Sequence, residues 1–201
     1  MKRRGFEKMD AGTQRGLVAV KFTIDPVASR FTVQAFATGL LSSFGHNPTI
    51  AIRDYDGDIE CDPDTFDKAR VRVTVRTNRM EVQDEMKRDD LRKLEQEMYG
   101  KILEAERFPI AEFQSKQITI QKMGGDLLAA HVSGDLAFHG ATQSHSLDAR
   151  VTSMGATLRI SGEFPLHQSD YGIKPFSFAG GALKLKDDLK FSFELIARKQ
   201  E

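Results

Sequence analysis

His139 and His145 flank the segment Gly140-Ala141-Thr142-Gln143-Ser144, and a short hairpin there would set two imidazoles nearly opposite one another on neighbouring strands. Such a pair can ligate a transition metal such as zinc, which takes about three to four ligands in all. His46 or His167 would have to supply a third, and nothing in their spacing requires it. HExxH is absent and Cys61 is the single cysteine, so no familiar metal motif supports the pair. Each histidine alone reads as a surface or hydrogen-bonded residue. Ser42-Ser43-Phe44-Gly45-His46 brings hydroxyls near an imidazole, but residues this close in sequence rarely form a triad, and GxSxG is missing. Asp54, Asp56 and Asp58 alternate around Gly57 like part of a calcium loop, yet no Glu follows at the twelfth position, which leaves a polar turn. Arg70, Arg72, Arg76 and Arg79 form the best nucleic-acid candidate, but no aromatic residues interleave with them as stacking platforms. The stripe reads as the wet face of an antiparallel sheet. The sequence therefore predicts no catalytic residue, no cofactor and no nucleic-acid partner. A metal-dependent enzyme built on His46, His139 and His145 is the alternative.

The elements that must position these residues are mostly strands. Residues 17–25 and 30–38 are rich in Val, Ile, Phe and Thr, with an Asp25-Pro26 turn between them. Residues 69–77 alternate most cleanly. Val71, Val73 and Val75 share one face and Arg70, Arg72, Thr74 and Arg76 the other, because a strand repeats every two residues. Further strands are predicted at 49–53, 111–122, 126–138, 144–153, 156–166 and 188–198. Gly124-Gly125 marks one hairpin and Gly140-Ala141-Thr142-Gln143 another. Residues 84–99 break the pattern: Leu91, Leu94, Met98 and Ile102 form the stripe of an amphipathic helix. Asp84/Arg88, Asp89/Lys93 and Glu97/Lys101 add acid-before-base pairs, and Gly100 ends or bends the helix. Many short antiparallel strands with one inserted helix give a single mainly-β domain, a closed barrel or a sandwich.

Phe31, Val33 and Ala35 share a strand face, as do Leu136 with Phe138, and Phe191 and Phe193 with Leu195. With Val71, Val73 and Val75 they are either the packed core of a barrel or the lining of an elongated apolar cavity. Composition fits both readings: 40% of 201 residues are hydrophobic, with 14 Phe, 3 Tyr and no Trp. Phe offers large apolar area without a polar group that needs a partner. The 29 basic and 29 acidic residues cancel, which argues against a globally basic nucleic-acid binder. The lone Cys61 excludes an internal disulfide, and no run approaches the ~18 apolar residues of a spanning helix. Residues 1–9 have a basic start but no apolar stretch follows. Residues 1–16 are expected to be a flexible tail, 17–198 the domain and 199–201 a second tail. The expected location is the cytoplasm, or the periplasm if an upstream segment is missing.

Three segments stand out: Arg107-Phe108-Pro109-Ile110-Ala111-Glu112-Phe113-Gln114-Ser115, then residues 132–142, Val-Ser-Gly-Asp-Leu-Ala-Phe-His-Gly-Ala-Thr, then Asp170-Tyr171-Gly172-Ile173. Together they resemble the YceI-like domain family of lipocalin-like lipid-binding barrels. The first is similar to the family's F/Y-P-x-I/A-x-F-x-S run. The second resembles V-x-G-x-L-x-x-H-G-V-T, with Ala141 in place of the usual Val, and the third resembles D-F-G-I. Their order and spacing extend the likeness over about residues 17–198. Residues 44–50 are similar to a branch with G-H-D/N-H-T-I in which Pro48 replaces the second His.

The resemblance implies an extended antiparallel β-barrel of about eight strands with the helix inserted near residues 84–99. Its interior would hold a long isoprenoid or another amphiphilic lipid, a quinone included, for carriage, storage or a stress-related role. Burying each CH₂ contributes about 0.8 kcal/mol, so such a chain needs no catalytic group to bind. His46, Asn47 and His139 lie near loops and are the candidates to meet a headgroup. Residues 84–106 would cap or wall the barrel, with Leu91, Leu94 and Met98 facing it. A filled barrel with a scaffold role differs only in cavity volume, and a homodimer is left open.

Overall fold

The computed structural model describes residues 19–38, 47–85, 87–178 and 183–200. Its strands form one closed antiparallel barrel of eight strands, several of them broken into two pieces. β1 (Val20–Ile24) and β2 (Arg30–Thr38) are successive halves of the first. Both lie along the last strand, β12 (Leu183–Lys199), with Ile24 opposite Ala197 and Arg30 opposite Glu194. The break falls after Asp25, whose carboxylate accepts the N–H groups of Val27 and Ala28, beside Pro26, which has no N–H to give a ladder. The second strand is β3 (Thr49–Ile52) with β4 (Tyr55–Cys61), and the third is β5 (Arg70–Arg76) with β6 (Met80–Val82). β7 (Ile110–Gly124), β8 (Leu127–Phe138), β9 (Ala141–Met154) and β10 (Thr157–His167) follow. Each strand pairs with its sequence neighbours, and the short β11 (Ser177–Phe178) adds to β12.

This meander sends the chain alternately to two ends. One, the helix end, carries α1 (Arg88–Glu97), the β8–β9 turn and a 3₁₀ turn at Gln168–Tyr171. The other, the hairpin end, carries the β7–β8 and β9–β10 turns. α1 is shorter than the sequence predicts because Asp84 is used elsewhere: its carboxylate accepts the Thr49 N–H at 2.8 Å, so the Asp84/Arg88 pair does not form. Glu97 and Lys101 do pair, at 2.7 Å, whereas Asp89 meets Arg92 at 4.0 Å instead of Lys93. Gly100 bends the helix without ending it. Met98–Ile102 widens to a π-turn in which Leu103 N–H reaches the Met98 carbonyl at 2.8 Å.

β4 is the longest strand the sequence reading missed, the short β6 and β11 being the others. Asp54, Asp56 and Asp58 do not form a polar turn; they flank or belong to a strand whose inward residues are Tyr55, Gly57, Ile59 and Cys61. The Asp and Gly content disguised a period of two. The carboxylates point outward onto the arginine stripe. Arg76 lies 3.0 Å from both Asp54 and Asp56, and Asp58 is shared by Lys21 at 3.1 Å and Arg72 at 3.7 Å. The two surface features singled out as calcium-like and nucleic-acid-like thus meet through Arg72 and Arg76. The β8–β9 connection also differs. Phe138 pairs with Ala141, so the turn is only His139-Gly140, both with positive φ (49° and 79°), as a tight two-residue hairpin requires.

Gly134 on β8 sets the packing between strands. A Cβ there would stand 2.3 Å from the Gln114 carbonyl and 2.7 Å from the Phe113 ring, which fills the space instead. Gly134→Ala is expected to lower stability by about 1–3 kcal/mol. Gly100→Ala, where a Cβ meets nothing within 4 Å, should be neutral or stabilising by up to about 1 kcal/mol. Urea unfolding midpoints of the two variants check both.

Candidate functional site: the barrel cavity

Three layers stack along the barrel axis. Towards the hairpin end Phe22, Cys61, Leu128, Val151, Leu158 and Ala197 are buried against one another. Towards the helix end a second cluster of Met98, Leu103, Phe138, Leu166, Tyr171 and Ile173 closes the interior. Met98 and Ile102 pack in this cluster, while Leu91 and Leu94 of the predicted stripe are only half-buried and stand outside it. Between the two layers lies a cavity of about 170 Å³.

Every lining residue but one is a hydrocarbon side chain or Met80. The alternation that makes Val71, Val73 and Val75 point one way puts all three on the wall. Phe31, Leu136, Phe138, Phe191 and Phe193 line it too. Val33 does not. It is buried in the same core but sits opposite Phe191, and the larger ring reaches the cavity in its place. Sequence reasoning also passed over Phe113, which covers Gly134, and Phe164, which stacks on Phe191 with centroids 4.8 Å apart. The shared parity of Leu158, Ile160, Phe164 and Leu166 along β10 was the available signal.

The exception on the wall is His145. It follows the parity of Leu147, Ala149 and Val151 and so points inward. Its Nε2 lies 2.6 Å from the Tyr171 hydroxyl. Burial holds the imidazole below its ordinary pKa, with the Asp170 carboxylate acting weakly the other way. Burial, and secondarily Asp170, push the Tyr171 phenol up to about 12.

The headgroup candidates fare differently. His139 occupies the turn and not the wall. Its ring packs 4.4 Å from Phe108, Nδ1 lies 3.1 Å from the Tyr171 carbonyl, and Nε2 stands 3.6 Å from Glu104 without a hydrogen bond. Asn47 is exposed, and its side-chain oxygen accepts the Ala37 N–H at 3.1 Å. His46 lies outside the described residues. The two-residue turn therefore separates His139 from His145, one at the barrel end and the other opposite Gly134 inside it. Among the described residues no group of three or more His, Cys, Asp or Glu is placed to hold a metal. His131 pairs with Asp148 at 2.7 Å and His167 with Asp188 at 3.1 Å, both on the outside. A larger concavity of about 920 Å³ on the outer face includes Arg30, His131, Asp148, Arg150, Glu163 and Glu194, and it is open and polar.

A YceI-like domain model matches residues 22–197. The fold is shared with BcnA of Burkholderia cenocepacia, at 18% identity and TM-score 0.66 over 86% of this chain and 98% of that one. A polyisoprenoid binding domain from Saccharophagus degradans, implicated in plant cell wall breakdown, aligns at 14% identity and TM-score 0.66, covering 89% and 98%. The Campylobacter jejuni YceI protein aligns at 17% identity and TM-score 0.60, covering 78% and 88%. No curated protein matches the sequence significantly. No helix among the described residues is long and apolar enough to cross a membrane.

The neutral state of His145 makes a pH prediction. An unfolded histidine takes up a proton below about pH 6.5, whereas the folded one resists until its lowered value is reached. The unfolded chain then binds more protons, so stability should fall as pH drops from 6.5 towards 5. Lowered carboxylates such as Asp135 and Asp187 act only further down, below about 4. In the double variant His145→Leu/Tyr171→Phe, urea midpoints at pH 7 and pH 5 should differ less than in the parent.

Proposed function

The chain belongs to the YceI-like domain family, and on that premise we propose that it binds an isoprenoid or other long amphiphilic lipid in its barrel cavity, as a carrier or storage protein and without catalysis. The observation that carries this reading is an enclosed space whose wall is hydrocarbon except at His145. Such a wall rewards an apolar chain at about 0.8 kcal/mol for each CH₂ buried and rewards little else. The likeness to the Saccharophagus polyisoprenoid binding domain supports the same ligand class. At about 170 Å³ the cavity is smaller than the ~300–1,000 Å³ of pockets that take drug-sized ligands. A long chain therefore enters by moving wall side chains or by extending through the helix end, where α1 contributes no buried residue.

Organic extraction of the purified protein followed by mass spectrometry is the test, and an isoprenoid-class lipid is the expected finding. A barrel that comes out empty and then takes up neither isoprenoid lipid nor hydrophobic dye overturns the reading. Two substitutions locate the ligand. Val73→Asp puts a carboxylate into the apolar cavity and should cost several kcal/mol of stability or abolish uptake. Arg72→Asp alters an exposed ion pair with Asp58 and should cost no more than about 1 kcal/mol, with uptake retained. The reverse order of severity would mean that the ligand does not lie inside the barrel.

A further inference from the structure

The three segments singled out in the sequence meet at one side chain, His139. The Phe108 ring packs against its imidazole with centroids 4.4 Å apart, and the Tyr171 carbonyl lies 3.1 Å from Nδ1. A carbonyl only accepts, so Nδ1 carries the proton of the neutral ring and Nε2 is left with a bare lone pair. The side chain is 9% exposed, and Nε2 is covered without a hydrogen-bond partner among the described residues. Its nearest charged group is the Glu104 carboxylate, whose Oε1 stands 3.6 Å away. Two acceptors facing each other form no hydrogen bond. One added proton makes them donor and acceptor, and both nitrogens of the imidazolium then meet an oxygen.

Glu104 is an unexpected residue for its position. It lies two residues past the π-turn with φ 41°, a left-handed conformation that glycine or asparagine takes at a helix end with little strain. Its neighbours Leu103 and Ala105 are buried, and its carbonyl accepts the N–H groups of Arg107 and Phe108 at 2.8 and 2.9 Å. This backbone sets the carboxylate beside His139, where Arg107 shares it at 3.3 Å. The exposed Glu106 completes the charges of that segment. The 3₁₀ turn brings Asp170 and Tyr171, and β9 brings His145, whose Nε2 already meets the Tyr171 hydroxyl. Phe108 and Phe138, the remaining neighbours of the ring, carry no charge. We propose that His139 and Glu104 form a pH-sensitive latch: a proton taken up at Nε2 ties residues 98–108, which close the helix end through Met98 and Leu103, to the β8–β9 turn. The latch tightens in acid and slackens as the proton is lost, whatever the barrel holds. It acts against His145, where burial makes a proton costly, so overall stability mixes the two and the segment itself must be read.

Backbone hydrogen exchange of the intact chain, corrected to protection factors, reads the latch at pH 8 and pH 5. The N–H groups of Leu103, Ala105 and Phe108 are all bonded within the segment. At pH 5 they should gain about tenfold in protection relative to amides of the β7–β8 hairpin. Glu104→Gly suits the left-handed backbone, so it should keep or raise the urea midpoint while abolishing that gain. His139→Asn supplies the asparagine–glycine pair that this turn favours and takes up no proton, so it should abolish the gain too. Imidazole ¹⁵N NMR at pH 8 should find the His139 proton on Nδ1. A gain that survives in Glu104→Gly or in His139→Asn overturns the latch. So does a neutral ring protonated on Nε2, or a parent chain whose segment is protected equally at both pH values.

Discussion

The barrel exists because its first strand meets its last. β12 meets β2 at eight register pairs, from Lys184 with Thr38 to Glu194 with Arg30, and β1 at three more, Phe22 with Lys199, Thr23 with Arg198 and Ile24 with Ala197. Closing a loop across nearly the whole chain is entropically expensive, though the cost grows only logarithmically with length. A clasp of polar contacts offsets it. Asp25 N–H donates to the Ile196 carbonyl at 2.8 Å, the Ser29 hydroxyl accepts the Ile196 N–H at 2.8 Å, and the Asp25 carboxylate pairs with Arg198 at 3.0 Å. The same carboxylate accepts the two N–H groups that break the first strand, so one residue both bends the strand and fastens its end. Beneath the clasp Ala197 is fully buried. Closure leaves the barrel without a free edge along the ladder. It also obliges alternate residues on every strand to face one enclosed volume, which is what creates the cavity.

That volume is divided by side-chain size. Where Leu128, Val151, Leu158 and Phe22 converge, the interior is solid. In the middle layer rings replace branched chains, and two of them take space released by glycine: Phe113 over Gly134 and Phe193 over Gly162. A phenyl ring packed against backbone holds the wall without filling the centre. At the helix end the closure is thinner. The π-turn supplies Met98 and packs Ile102, but α1 itself buries nothing, and the Tyr99 hydroxyl ties this segment back to the Met80 carbonyl. Segments with few buried apolar contacts open at low free energy. α1 is therefore the loosely held segment of the helix end, whereas the cluster beneath it is packed.

Much of this was legible in the sequence because alternation is a strong signal when one face must be dry. Val71, Val73 and Val75 between arginines fixed both the strand and its inner face, and Phe31, Phe191 and Phe193 followed the same rule. What escaped had its period masked or its partner far away. In Tyr55-Asp56-Gly57-Asp58-Ile59 the inward glycine and outward aspartates imitate a turn, and only the arginines of β5 reveal them as one side of a cross-strand ion ladder. The late start of α1 depends on the hydrogen bond from the Thr49 N–H to Asp84, a partner that local propensity does not encode. His139 and His145 looked alike in sequence. The turn length decided between them, placing one among Phe108, Glu104 and Tyr171 and the other on the cavity wall.

A histidine in a hydrocarbon wall needs an explanation, since valine or leucine would fill the place without desolvating an imidazole. Tyr171 removes most of the penalty at one nitrogen, because a buried hydroxyl and a buried ring nitrogen satisfy each other at 2.6 Å. The outer surface shows the opposite economy. There Asp54, Asp56, Asp58, Glu163 and Asp135 all lie within 3.7 Å of a lysine or arginine on a neighbouring strand or bulge, and the pairs remain wetted. Charge is spent in water, where such pairs contribute little to stability and keep the sheet's outer face soluble. On the cavity wall, polarity is confined to His145 among the described residues, and deeper in the core the buried Tyr55 hydroxyl stands without a partner among them. The barrel therefore keeps its charge where water can reach it and offers the cavity hydrocarbon at nearly every position.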